Sequence, residues 1–103
     1  MTRGWAISRI KTALKRRSGK NWSVIGGTGT GWGWIRILSR PSRRIESSHM
    51  TPEDRAELAS LLGLDEVHGQ GVLIPASNDY YQEYVYRAAG RKPSVIGTEY
   101  WAD

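Results

Sequence analysis

Gly26, Gly27, Gly29 and Gly31 interrupt two short runs of β-forming residues, 22–25 and 32–38, and this break constrains the chain more than any other stretch. Glycine has no Cβ and reaches positive φ freely, so a cluster of it permits a tight or bulged reversal. Two β-rich runs on either side of such a reversal predict a hairpin. Alternation along the second run puts Trp32, Trp34, Arg36 and Leu38 on one side and Ile35 and Ile37 on the other. The aliphatic side is expected to face a helix. The other side then presents indole, indole and guanidinium in a row.

Three helices are expected around this hairpin. Over residues 3–17, Ala6, Ile7, Ile10, Ala13 and Leu14 recur at helical spacing, with Arg9, Lys11, Lys15 and Arg16 elsewhere and Gly19 as the stop. The second helix opens at Thr51-Pro52-Glu53-Asp54. Thr51 caps it, Pro52 suits its first position, and the two acids favour its positive end. Leu58, Ala59, Leu61 and Leu62 form its buried stripe, and Gly63-Leu64 reads as a glycine termination with an apolar residue folding back. The third helix starts from Ser77 and ends near Gly90, with Tyr81, Tyr84, Val85 and Ala88 on one face. Residues 72–74, Val-Leu-Ile before Pro75, read as a short buried strand, and 93–96 as a last one. Ser23-Val24-Ile25-Gly26 recurs as Ser94-Val95-Ile96-Gly97, as two strands of one sheet with similar exits would. The expected fold is a single α+β domain of 103 residues, ordered α-β-β-α-β-α-β, with helices on one face of a small, mainly antiparallel sheet.

Charge divides the chain. Residues 1–44 carry eleven Lys and Arg and no acid, while residues 45–103 carry four against ten, so the two parts hold +11 and −6. A split of this kind points to a polyanionic partner, or to the two parts neutralising each other within a subunit or between subunits. The absence of cysteine excludes disulfides, thiolate metal sites and thiol nucleophiles. No apolar run approaches a bilayer's thickness and no signal peptide is legible, so a soluble cytoplasmic protein is expected.

Catalytic patterns are weak. Successive glycine amides can cradle phosphate, but no Gly-Lys-Ser/Thr and no helix follows the cluster, as phosphate-binding loops require. His49 and His68 lack partners at metal-ligand spacing, and Glu53 and Asp54 are accounted for by helix capping. No residue is assigned to catalysis, a cofactor or a metal. The Trp32, Trp34 and Arg36 row is more informative, because aromatic faces stack on unpaired bases while interleaved cations hold the backbone. Burial of the indoles under the third helix or the Tyr100-Trp101 segment is the competing account.

Trp22-Ser23-Val24, Gly26-Gly27-Thr28-Gly29-Thr30 and Gly33-Trp34-Ile35 together resemble a motif of small uncharacterised bacterial proteins and of domains in phage and plasmid polyproteins. The likeness covers about fifteen residues and departs at Thr28, where those proteins carry a basic residue. It implies a bacterial or mobile-element setting and a shared hairpin. The leading expectation is a non-enzymatic nucleic-acid-binding domain, for RNA or DNA, using Lys15, Arg16, Arg17, Lys20, Trp32, Trp34, Arg36, Arg40, Arg43 and Arg44. A protein-binding accessory or inhibitor is the alternative, and a homo-oligomer the third.

Overall fold

Capping chemistry sets the helix bounds in the computed structural model, which describes residues 2–26, 33–39, 50–69 and 71–91. Helix α1 spans Arg3–Ser18, begins at Thr2, whose hydroxyl accepts the Trp5 amide, and stops at Gly19 in the left-handed region. Helix α2 spans Pro52–Leu62 behind the Thr51 cap. At its end the Gly63 amide returns to Ser60 and the Leu64 amide to Ala59, the paired bonds of a glycine-terminated helix. Helix α3 spans Asn78–Ala88 behind Ser77. The Gly90 and Arg91 amides close its last turn onto Arg87 and Tyr86.

Strands β1 (Ser23–Gly26), β2 (Ile35–Leu38) and β3 (Val72–Ile74) form one antiparallel sheet in the order β1-β2-β3. The register aligns Val24, Ile37 and Val72 in one row and Ile25, Arg36 and Leu73 in the next. Gly71 enters β3 with φ of 125°, and any side chain there would strike the Ile37 carbonyl. The fold is thus α+β, with the helices on the Ile35/Ile37 side of the sheet.

Ala6, Ile10 and Leu14 of α1, Leu58 and Leu62 of α2, and Tyr81 and Ala88 of α3 meet Val24, Ile35, Ile37 and Ile74 in one core. Ile35 and Ile37 are fully buried, and each contributes roughly 1.5–3 kcal/mol of transfer free energy. Two expectations need correction. β3 is not buried on both faces, because the helices cover only one, and Leu73 points outward. Leu38 shares the alternation phase of Trp34 and Arg36 but is buried, so the open face closes at that end of β2. The expected strand at 93–96, the tail beyond it and most of the glycine cluster lie outside the described residues.

Candidate nucleic-acid interface

The buried stripe of α1 determines which of its cations remain available. With Ala6, Ile10 and Leu14 turned to the core, Trp5, Arg9, Thr12 and Arg16 share the opposite face, four or three residues apart, with Lys11 and Lys15 beside them. All six side chains are exposed, and α1 contains no acid. The Arg9 guanidinium lies 4.8 Å from the centre of the Trp5 ring, a favourable cation–π arrangement. Arg9 and Arg16 are about 10 Å apart along the axis, at the rise of an α-helix. The result is a cationic ridge that begins with an indole.

Arg17 continues the buried stripe, three residues after Leu14 and seven after Ile10, and it is tied to protein. Its guanidinium donates to the Leu61 carbonyl at 2.7 Å, to Ala88 at 3.0 Å and to Arg87 at 3.4 Å. Arg87 in turn donates to the Leu62 and Gly63 carbonyls and pairs with Glu83 at 3.0 Å. These carbonyls lie in or just past the last turns of α2 and α3, where partial negative charge accumulates. Two arginines therefore join three helix ends.

Lys20 is likewise committed. It reaches Asp54 at 3.0 Å and Glu57 at 2.6 Å, both on α2. The hydrogen bonds to Glu57 and then Asp54 raise the Lys20 pKa above the ordinary lysine value, against a smaller desolvation effect. The bond from Lys20 holds the Asp54 carboxyl below the usual carboxylate range, assisted by the Ser39 hydroxyl and opposed by burial. Here the basic and acidic parts of the chain neutralise each other inside one subunit.

At the opposite end of α1 the elements converge on Gly33. The Tyr81 hydroxyl, in the first turns of α3, donates to the Gly33 carbonyl. The space a side chain would need at Gly33 is filled by Arg3 and Tyr81, and that at Gly26 by Arg3 and Ile7. The beginnings of α1, β2 and α3 and the end of β1 thus meet at one junction. Since Arg17 also joins the ends of α1 and α3, these two helices run in the same direction.

Of the ten residues expected at the interface, Lys15 and Arg16 lie exposed on the outer face of α1, and Trp34 is exposed with Arg36 5.6 Å from its ring centre. Arg17 and Lys20, also exposed, bond to α2 and α3 and to α2 respectively, as described above. Trp32, Arg40, Arg43 and Arg44 lie outside the described residues. Lys15 and Arg16 sit in the helical layer and Arg36 on the opposite face of the sheet, so they do not form one patch. Trp5, Arg9 and Lys11, which are not among those ten, share the exposed surface of α1 with Lys15 and Arg16, and their absence from the 6-10-14 stripe is a readable signal. Among the described residues no group of three His, Asp or Glu is placed to hold a metal, and no helix is long and apolar enough to cross a membrane. No protein-family model, curated protein or solved structure matches the chain.

Proposed function

We propose that the chain is a non-enzymatic nucleic-acid-binding domain of the cytoplasm that holds phosphates on the outer face of α1. The observation that carries this reading is the ridge itself: Arg9, Lys11, Lys15 and Arg16 on exposed helix surface without an acid in the helix. Such a surface gathers phosphate by displacing its counterions, so affinity falls steeply with salt. The test is fluorescence anisotropy of labelled oligonucleotides across a salt series, with a Lys15→Gln/Arg16→Gln variant alongside. The variant should bind more weakly. On single strands its log–log salt slope should be shallower by about 0.7 for every phosphate it no longer neutralises. An unchanged slope and affinity would refute α1 as the phosphate surface.

A second reading is favoured by the open sheet face, where Ile25 and Leu73 flank Arg36 in one cross-strand row. Both aliphatic side chains are about half exposed, at 46% and 53%. A protein segment placing a carboxylate between apolar side chains would complement that row. Retention of a discrete protein partner that is lost in Leu73→Ser, together with indifference to nucleic acid, would favour this reading over the first.

A further inference from the structure

Among the described residues the large aromatic side chains range from buried, through half-buried at Tyr84 and Tyr86 along α3, to exposed. Trp22 and Tyr81 are buried, whereas Trp5, Trp34 and Tyr80 remain exposed at 43%, 36% and 46%. Each exposed ring is within two residues of a member of the Gly33 junction: Trp5 follows Arg3, Trp34 follows Gly33, and Tyr80 precedes Tyr81. Three elements therefore bring three uncovered rings to the end where α1 and α3 begin. Guanidinium groups lie over two of them, Arg9 over Trp5 and Arg36 over Trp34. Away from this end run the cations of α1.

We infer that the molecule takes single-stranded nucleic acid that passes around the end of the sheet, with unpaired bases stacking on Trp34 on the open sheet face and on Trp5 and Tyr80 in the helical layer, and the backbone following Arg9, Lys11, Lys15 and Arg16. This rests on the reading of α1 as a phosphate-binding surface and specifies what that surface binds. Flat rings stack on bases of any identity, and an arginine over a ring adds a cation where the nucleotide's phosphate comes close. A duplex satisfies the cations but not the rings, because its bases are stacked on one another and offer only their edges. The row of Ile25, Arg36 and Leu73 contributes aliphatic side chains, which give a base much less to stack on than an indole does. Asp79, exposed in the first turn of α3 beside Tyr80, repels phosphate and directs the backbone toward α1.

The experiment uses four labelled probes of about 12 nucleotides, within the span that small single-strand-binding folds cover. They are an oligouridine, an oligothymidine, an abasic strand with the same phosphates, and a blunt duplex. The wild-type chain should bind the two base-bearing strands more tightly than the abasic strand and the duplex. Trp5→Ala should weaken binding to the base-bearing strands on the order of tenfold, with the abasic strand and the duplex unaffected and Trp5→Phe retaining most of the affinity. Tyr80→Ala, also exposed, provides a second variant outside the core and should act in the same direction. Tighter binding of the uridine strand assigns the site to RNA and of the thymidine strand to DNA, and either agrees with the inference. Equal losses on all four probes, or no loss on any, would overturn stacking while leaving phosphate binding in place. Failure of the wild-type chain to bind any probe at low salt would instead sink the phosphate-binding reading.

Discussion

The two ends of the helical layer use arginine in opposite ways. Where α1, α2 and α3 finish, Arg17 and Arg87 reach across to neighbouring backbone carbonyls, Arg17 doing so while still exposed. Where α1 and α3 begin, Arg9 and Arg36 lie against exposed indoles. Arg16 and Arg17 are adjacent in sequence, and one helical step of about 100° separates a cation open to solvent from one that binds three helices together. Formal charge in a sequence therefore overstates the charge available to a partner. What decides is the position of each cation relative to the buried stripe of its helix.

Arg17→Ala is the strongest test of that contrast. Loss of charge-assisted bonds to three carbonyls should destabilise the fold by about 2 kcal/mol, lowering the thermal midpoint by roughly 10 °C. Arg16→Ala should stay within about 0.5 kcal/mol, as exposed substitutions usually do, while weakening nucleic-acid binding more than Arg17→Ala does at a temperature where both are folded. Equal stabilities for the two variants would erase the distinction between the ends. A smaller effect is expected at the junction, where Tyr81→Phe removes the hydroxyl that donates to Gly33. About 1 kcal/mol should be lost in urea denaturation, with single-strand binding reduced if the junction positions the rings.

The smallest effect concerns the Lys20–Asp54–Glu57 cluster. The folded-state pKa of Asp54 lies below its unfolded value. Its contribution is therefore present above the ordinary carboxylate pKa of about 4 and is lost as pH falls through that value toward the folded one. Lys20 has the opposite sign. Its folded pKa is raised, so its contribution is complete below about 10.4 and fades as pH rises past it. Both groups are partly exposed, so the pair is worth about 1 kcal/mol or less. Comparing urea midpoints of wild type and Asp54→Asn at pH 7 and pH 3 should show a gap that narrows in acid.

What the sequence discloses follows from local chemistry. Thr51 with Pro52 at one end and Gly63 with Leu64 at the other define α2 almost to the residue, because a cap is written within four or five positions. The β1–β2 pairing is legible for the same reason. The fates of Arg17 and Lys20 are not, since their partners stand 44 and 71, and 34 and 37, residues away. Arg17 does leave a trace in falling on the buried stripe. Leu73 escapes a local reading because a three-residue apolar run looks alike whether one face is covered or two. The gathering of Trp5, Trp34 and Tyr80 depends on two helices running parallel, which no local pattern encodes.

Arg36 in the middle of the β1-β2-β3 row has a consequence for the life of the protein at high concentration. Ile25 and Leu73 would otherwise join into an apolar band on an open sheet, the kind of surface that stacks on copies of itself. One charge at the centre of the band makes each such stacking bring two guanidinium groups together. Arg36→Leu would complete the band, and the chain should then scatter light and bind thioflavin at concentrations where the native sequence does neither.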